Sequence, residues 1–309
     1  MNSIERVRRA RDCNNPDKTP LFLPNRDFGD SDILNIGVVD TAVEWGFEWE
    51  RIDETMGQVK EPIIKNWEDF KMFIPPKADK AGRFDWTSSY MENIPNKYNL
   101  VSLGISGFTI MCFLRGMAEL LCDFYEEEEN VNKLADMVFG FEEDIIKLLP
   151  GKGFHGVSFA DDWGTQHGPI ISPELWHSFF APRYKRQFDL CHKNGLDVYF
   201  HSCGSYLPLI EGFIDIGVDF MNISQPNLYD MKELGRRFGG KVCFVCPVSY
   251  QTTSLSGTRE EIFADVKLMH ENLAVGGGLV GYVEDYPSIG LSETNYQACI
   301  EAFNKKGIM

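Results

Sequence analysis

The sequence predicts an α/β fold of the (β/α)8 TIM-barrel type, built as a single domain over residues 1–309. Short runs of β-branched and aromatic residues alternate with longer helical patterns, an order that produces βα units and a parallel sheet. Eight such runs are present. Polar residues suited to binding or catalysis follow most of them, and the active sites of barrel enzymes lie at the carboxyl-terminal ends of the strands.

The eight predicted strands are spread along the whole chain, and the second of them shows the weakest alternation. They lie at residues 21–25, 42–49, 100–106, 156–162, 197–203, 220–224, 242–247 and 279–285. Residues 50–99 are rich in proline, lysine, aspartate and tryptophan and do not fit a βα unit. We therefore expect an insertion near the barrel mouth over that range.

The segments between the later strands carry the boundary signals of helices. Ser172 before Pro173 matches an N-cap followed by a residue that fits the first helical position, and Gly195 stands where a left-handed C-cap is expected. Thr258 and Glu261 have the spacing of a capping box. These signals predict helices that begin near residues 173 and 259.

Composition excludes several classes of function. The formal charge of −16 and the pI near 4.8 argue against nucleic acid or an anionic membrane as a partner, because both require a basic surface. The basic N-terminal stretch has no apolar segment after it, and the eight cysteines are scattered rather than densely spaced. We expect a cytoplasmic protein with reduced thiols.

His201 and Cys203 end a predicted strand and are followed at once by Gly204. Residues two apart on a strand point to the same face, so both side chains can enter the barrel mouth. Imidazole and thiolate are zinc ligands, and two more donors complete a tetrahedral site. The other interpretation is a packed cysteine beside a capping histidine. Candidates for the further ligands follow later strands: Cys246, Glu284 and Asp285.

Asp161 and Asp162 are adjacent carboxylates at the end of another predicted strand. Neighbouring strand residues face opposite ways, so we expect one of them to enter the pocket and the other to cap the following turn. A general acid, a general base, a substrate anchor and a purely structural capping role all remain open.

The sequence from about Asp161 to the C-terminus resembles the uroporphyrinogen decarboxylase superfamily, which includes the cobalamin-dependent methyltransferases that methylate a thiol. The resemblance is carried by the stretches "ISPELWHSFFAPRYKRQFDLCHKNGLDVYFHSCGS" and "FGGKVCFVCPVSYQTTSLSGTREEIF". The opening "ERVRRARDCNNPDKTP" is typical of the methyltransferase-like branch. The resemblance implies a (β/α)8 barrel, in agreement with the strand count.

In the methyltransferases of this superfamily, zinc is held by an H-x-C pair and a later cysteine. His201 and Cys203 match the pair, whereas Glu284 and Asp285 stand where the third ligand is expected. The resemblance therefore implies that a carboxylate or Cys246 completes the site, or that the metal is lost. It further implies that zinc ionises a small-molecule thiol, which then takes a methyl group from a methylcorrinoid presented by a partner protein.

The same resemblance assigns substrate positioning to Gln225 together with one of the two aspartates. A metal-free decarboxylase acting on a tetrapyrrole-like acid is the second hypothesis, with Arg26 and an aspartate as its site. The segment "LFLPNRDFGDSDIL" supplies one arginine, followed by Asp27, which is too few cations for a substrate with many carboxylates. Within it, "SDIL" resembles the decarboxylase segment with the essential aspartate, here Asp32, although too close to the first strand. A non-catalytic barrel that binds a corrinoid or tetrapyrrole is the third hypothesis.

Overall fold

Eight parallel strands form a nearly closed barrel, confirming the predicted (β/α)8 fold. The structure is a computed structural model that describes residues 1–51, 57–285 and 289–305. The barrel strands are β1 (Leu21–Phe22), β2 (Ile33–Gly37), β3 (Tyr98–Ile105), β4 (Gly156–Ala160), β5 (Asp197–Ser202), β6 (Phe220–Ile223), β7 (Cys243–Pro247) and β8 (Leu279–Tyr282). From β2 to β8 each strand pairs with the next one in sequence, and β8 also pairs with β1.

The remaining seam, between β1 and β2, is held by individual hydrogen bonds rather than by a ladder. The Asp32 N–H donates to the Leu21 carbonyl at 2.7 Å, and the Leu21 N–H donates to the Asp32 carboxylate at 3.0 Å. The Leu23 N–H donates to the Ser31 hydroxyl at 3.0 Å. These contacts join the two edge strands and so close the barrel.

Helices surround the sheet and connect most of its strands. They are α1 (Ser3–Arg11), α2 (Thr41–Trp45), α3 (Trp67–Met72), α4 (Thr87–Asn93), α5 (Gly107–Arg115), α6 (Met117–Glu126), α7 (Glu128–Lys147), α8 (Pro173–Leu175), α9 (Ala181–Lys193), α10 (Leu207–Asp215), α11 (Met231–Phe238), α12 (Thr253–Ser256), α13 (Arg259–Leu273) and α14 (Glu293–Asn304). A π-helical turn, Trp176–Phe180, joins α8 to α9. Among the described residues, none of these helices has the length and apolarity needed to cross a membrane.

The second barrel strand was predicted in the wrong place. Residues 42–49 do not form it, because the Asp40 carboxylate caps α2 by accepting the Val43 N–H and Gly46, with φ of 79°, ends that helix. The strand is formed instead by the earlier segment Ile33–Gly37, which pairs in parallel with β3. No helix lies between β1 and β2 in the described chain.

The predicted insertion lies between β2 and β3. It contains two short antiparallel strands, Trp49–Glu50 and Gln58–Val59, followed by α3 and α4. The Arg83 guanidinium donates to the Val38 carbonyl at 2.7 Å, directly after the end of β2. This contact places part of the insertion at the barrel mouth, and the last predicted residues of the range belong to β3.

The barrel wall has two faces, and each strand alternates between them. The inner face points to the barrel axis and buries a cluster that includes Tyr199, Phe220 and Val245. The outer face points to the helices and contributes residues such as Phe200 and Phe244 to the larger core. The position of a residue within a strand therefore decides whether its side chain packs under a helix or reaches the mouth.

Candidate metal centre at the barrel mouth

Three side chains of ligand type converge at the mouth: Asp162, His201 and Cys203. Their ligand atoms all lie within 4.8 Å of one another. The His201 Nε2 atom is 3.5 Å from the Cys203 sulfur and 3.9 Å from the Asp162 Oδ1 atom. All three residues are partly exposed, so the cluster is open to a ligand from solvent.

Local backbone contacts hold these side chains together. His201 lies on β5 and Cys203 follows its last residue, both on the inner face. Asp162 occupies the equivalent place after β4, and its Oδ1 atom accepts the Cys203 N–H at 2.9 Å. The Asp162 N–H in turn donates to the Thr109 hydroxyl at 3.0 Å, which ties this loop to the start of α5.

The loop after Cys203 depends on a glycine. Gly204 has φ of 74°, and a Cβ atom there would lie 2.2 Å from the backbone of Gly164. Only a residue without a side chain lets the loops after β4 and β5 approach so closely. Gln225 is 8% exposed and accepts the Gly204 N–H at 2.6 Å, so it supports the loop rather than facing the mouth.

Asn222 orients the imidazole of His201. It lies opposite His201 on β6, is fully buried, and donates from Nδ2 to the Val245 carbonyl at 2.8 Å. Its Oδ1 atom is thereby left to accept from the His201 Nδ1–H at 2.5 Å. This tautomer turns the lone pair of Nε2 toward the Cys203 sulfur, as is common for metal-binding histidines.

The surroundings of His201 favour positive charge at this point. Burial of His201 opposes protonation, but the hydrogen bond and charge of Cys203, with the charges of Asp162 and Glu284, raise its pKa to about 10. Several anionic groups therefore face one position at the mouth. A bound cation could replace the proton there.

The donor set fits zinc. Bonds of about 2.3 Å to sulfur and about 2.0 Å to imidazole nitrogen place these two atoms about 3.5 Å apart around a tetrahedral zinc ion. The Nε2–Sγ distance here is 3.5 Å. Carboxylate oxygen is also a zinc ligand, so Asp162 can supply the third donor and leave one position for a substrate.

Asp161 lies on the outer face and has a structural environment. It is fully buried, and its carboxylate accepts the N–H groups of Phe108 and Thr109 at 2.7 Å and 2.8 Å, the Thr109 hydroxyl and the Tyr184 hydroxyl. Burial raises the pKa of Asp161 to about 7, although these hydrogen bonds lower it. The two adjacent aspartates thus separate, with Asp161 at the start of α5 and Asp162 at the mouth.

Cys246 also lies away from the cluster. It is fully buried, it packs in the core between the strands and the helices, and burial raises the pKa of its thiol to about 12. Its neighbours Cys243 and Val245 occupy the inner face of the same strand. The structure therefore does not bring Cys246 to His201 and Cys203.

Arg26 and Asp285 pair with each other at the edge of the mouth. The Arg26 Nε atom is 2.9 Å from the Asp285 carboxylate, and Nη1 is 2.9 Å from that of Glu293. The guanidinium also stacks 3.6 Å from the centre of the Tyr296 ring. Glu284 is nearer to the cluster, because its carboxylate accepts the hydroxyl of the inner-face residue Tyr282 at 3.0 Å and its charge acts on His201.

Asp32 lies at the opposite end of the barrel, directly before β2. Its carboxylate accepts from the Ser3 hydroxyl at 2.6 Å and from the Arg6 guanidinium at 2.7 Å, both in α1. The carboxylate is therefore fully engaged in fixing α1 beneath the barrel. The similarity of "SDIL" to a decarboxylase motif does not place an aspartate at the mouth.

Sequence reasoning missed several residues around the cluster. Asn222 on β6 and Ser224 directly after that strand share its inner face, and the Ser224 hydroxyl shares a hydrogen bond of 2.7 Å with the Tyr250 hydroxyl. The Ser224 oxygen is also 3.8 Å from the Cys203 sulfur. The alternation in "FMNIS" contained the signal for these two residues, whereas the contact to Tyr250 depends on tertiary structure.

A family model described as Uroporphyrinogen decarboxylase (URO-D) matches residues 27–282, which is most of the chain. The chain belongs to the uroporphyrinogen decarboxylase (URO-D) family. The match confirms the resemblance found in the sequence. It also extends that resemblance toward the N-terminus, through the insertion and back to the loop after β1.

Solved structures share the barrel of this URO-D family chain. A methyltransferase from Methanosarcina mazei matches it with a TM-score of 0.77 and 14% identity over 98% of both chains. A B12-independent methionine synthase from Shewanella sp. W3-18-1, in complex with selenomethionine, matches with a TM-score of 0.56 and 12% identity over 89% of this chain and 81% of that chain. At these identities the similarity establishes the fold. A comparison with curated protein sequences finds no match.

Proposed function

We propose that this protein is a zinc-dependent methyltransferase that transfers a methyl group to a small-molecule thiol. The observation that carries the proposal is the convergence of Asp162, His201 and Cys203 at the barrel mouth, with a nitrogen-to-sulfur distance of 3.5 Å. Oxygen, nitrogen and sulfur donors at this spacing suit zinc. The open end of a barrel is also where enzymes of this fold bind their substrates.

Each residue of the cluster has a distinct role in this proposal. When bound, zinc would ionise the acceptor thiol, and the thiolate is the nucleophilic form. Asn222 keeps the Nε2 lone pair of His201 directed at the site. The Cys203 N–H orients the Asp162 carboxylate, and Ser224 lies beside the Cys203 sulfur. These contacts hold the donors in place before any substrate arrives.

The methyl donor in this proposal is a methylcorrinoid on a partner protein or a related methyl carrier. The cluster lies at the open mouth, and a carrier must reach a thiol held there. The first structural neighbour named above is described as a methyltransferase, and the second as a B12-independent methionine synthase. The donor class therefore has to be decided by assay, with methylcobalamin as the first compound.

A metal-free decarboxylase receives less support from the same geometry. Arg26, the arginine that would hold a substrate carboxylate, is already paired with Asp285 and Glu293. Asp32 binds α1 at the other end of the barrel. A substrate with several carboxylates would meet Asp162 and Glu284 at the mouth, and like charges repel.

The decisive experiment is the zinc content of the chain purified without chelator or histidine tag. We expect about one zinc per chain in the parent and a loss of most of it in His201→Ala and in Cys203→Ser, because each removes one of three protein ligands. Cys122→Ser changes an exposed cysteine and Cys246→Ala a buried one, and both should retain the metal. Circular dichroism confirms that each variant is folded.

Activity assays then distinguish the candidate reactions. Methyl transfer from methylcobalamin to a thiol, abolished by Cys203→Ser, would support the proposal. Metal-free protein that releases carbon dioxide from uroporphyrinogen III would overturn it in favour of the decarboxylase. Tight corrinoid binding that survives both His201→Ala and Cys203→Ser, with no turnover in any assay, would indicate a binding barrel.

A further inference from the structure

The loops that follow β3 to β8 at the barrel mouth contain no lysine and no arginine. They run from each strand to the next α-helix, at residue 106 and at residues 161–172, 203–206, 224–230, 248–252 and 283–292. Their acidic residues are Asp161, Asp162, Asp230, Glu284 and Asp285. An anionic substrate group that enters the mouth would therefore meet no lysine and no arginine from six consecutive loops.

On the two remaining sides of the mouth, three basic residues are already ion-paired: Arg26, Arg83 and Lys80. Arg26, after β1, contacts Asp285 and Glu293 at 2.9 Å each. After β2, Arg83 is buried and bonded to Glu44, and the Lys80 Nζ atom is 3.9 Å from the same carboxylate. Binding an anion through any of these side chains would require breaking an existing ion pair.

Glu284 adds negative charge next to the metal cluster. Its carboxylate accepts the Tyr282 hydroxyl at 3.0 Å, and Tyr282 belongs to the cluster on the inner face. Its charge acts on both His201 and Tyr250, together with Cys203 and Asp162. Glu284 therefore faces the same space as the candidate ligands, from a different part of the barrel wall.

A bound divalent cation would leave this negative charge in place. Asp162 and Cys203, both ionised as ligands, carry two negative charges, and His201 is neutral as a ligand. The two positive charges of the cation balance the two negative charges of Asp162 and Cys203. The carboxylate of Glu284 therefore still makes the mouth attractive to a second cation. An ammonium group on the acceptor would supply that cation, whereas a sulfonate or a carboxylate would be repelled.

On the basis of the proposed function, we propose that the acceptor thiol carries a cationic amine and that Glu284 binds it. The thiol sulfur would occupy the position left open by Asp162, His201 and Cys203, and the ammonium would point toward β8. The same arrangement disfavours thiols whose only charged group is anionic. Glu284 would thereby select the substrate without taking part in the metal cluster.

The test measures binding of three two-carbon thiols to the full-length chain loaded with cobalt(II) in place of zinc. Cysteamine, 2-mercaptoethanol and 2-mercaptoethanesulfonate differ only in the terminal group, which is cationic, neutral or anionic. The visible bands of cobalt report metal binding before any thiol is added, and a near-ultraviolet sulfur-to-cobalt band reports thiol binding. We expect the Kd for cysteamine to be at least about tenfold lower than that for 2-mercaptoethanesulfonate.

Glu284→Gln should retain the cobalt spectrum and lower the ratio between these two Kd values at least about fivefold. Comparing the same thiols in both proteins cancels their intrinsic differences in acidity. Glu271→Gln, an equivalent change on the exposed side of α13, should leave the ratio unchanged.

Three outcomes would count against the inference, and they can be told apart. Equal or tighter binding of 2-mercaptoethanesulfonate by the parent overturns it without reference to any variant. A ratio of the two Kd values that is unchanged in Glu284→Gln would show that Glu284 does not select the substrate. Absence of the cobalt bands before thiol is added contradicts the metal centre, and with it the proposed function on which this inference rests.

Discussion

The two faces of the barrel wall use the same residue types in opposite ways. On the outer face, Asp161 receives four hydrogen bonds and Cys246 is sealed in the core. On the inner face, Asp162 and Cys203 stand beside His201 at an open mouth. Asp161 and Asp162 are adjacent in sequence, so a shift of one position changes an anchor of a helix into a candidate metal ligand.

The difference shows what distinguishes a structural carboxylate from a reactive one. Two of the four donors around Asp161 are among the first N–H groups of α5, which need acceptors because they have none within the helix. Asp162 has one backbone donor, and 47% of its side chain is exposed. The outer face satisfies its polar groups within the fold, whereas the inner face leaves acceptor capacity for a ligand.

Replacing each aspartate by alanine should give the largest contrast between the faces. Asp161→Ala leaves buried donors of Phe108, Thr109 and Tyr184 without an acceptor, which should lower the free energy of unfolding by about 3–5 kcal/mol. Asp162→Ala should lower it by less than about 1 kcal/mol, because the side chain is half exposed. Urea denaturation measures both, and similar losses would contradict the distinction between the faces.

Zinc affinity should distinguish Asp162, a ligand candidate from the structure, from Asp285, a ligand candidate from the sequence. Asp162→Asn should weaken zinc binding by more than about a hundredfold, since changes that only touch a ligand's partner already cost 10–100-fold. Asp285→Asn alters a carboxylate that is paired with Arg26 and should leave the affinity within about threefold. Competition with a chromophoric chelator gives both values, and a reversed order would make Asp285 the ligand.

A smaller loss of affinity is expected when the support of His201 is removed. Asn222→Ala deletes the acceptor of the Nδ1–H, so the imidazole can rotate and lose its preferred tautomer. We expect zinc affinity to fall by about tenfold while the stoichiometry at saturating zinc stays at about one per chain. An unchanged affinity in a folded Asn222→Ala variant would show that the hydrogen bond does not orient the ligand.

The sequence predicted the fold because seven of the eight barrel strands were predicted in the correct place. Six of them have clear apolar runs between turn signals, and β1 is the seventh. The second strand was missed since "AVEWGFEW" is rich in aromatic residues, whereas "ILNIG" is short. Asp40 and Gly46, the cap residues of α2, were the signals against a strand at 42–49. Strand propensity alone does not show whether these two cap residues or the aromatic residues of this segment decide its structure.

The candidate site could be predicted wherever the alternation of side chains between the two faces of a strand was applied. His201 and Cys203 were grouped by their spacing, and the same rule separated Asp161 from Asp162. Cys246 was grouped with them only because it lies near a strand end, although alternation with Cys243 and Val245 places it on the outer face. The ion pair of Arg26 with Asp285 depends on the pairing of β1 with β8, which joins distant parts of the chain.

The last predicted effect concerns Glu142, a second buried carboxylate, which lies on α7 outside the barrel wall. It is 2% exposed and accepts the Gly107 N–H at 2.8 Å and the Gln187 side-chain N–H at 2.6 Å. Burial raises its pKa to about 8. A carboxyl group with a raised pKa in the folded state stabilises the protein fully below its unfolded pKa, and that stability is lost as the pH rises toward 8.

We therefore expect the free energy of unfolding to fall between about pH 4.5 and pH 8, and Glu142→Gln to make that fall shallower. The amide retains an acceptor for the Gly107 N–H but cannot ionise. Asp161, whose pKa is raised to about 7, leaves a remaining slope of the same sign. Asp144→Asn, on the exposed side of the same helix, serves as the control for loss of an acidic group. If the slope of the free energy of unfolding against pH is identical in the parent and in Glu142→Gln, Glu142 stays ionised beneath α5. The first N–H groups of that helix would then stabilise its charge more than burial opposes it.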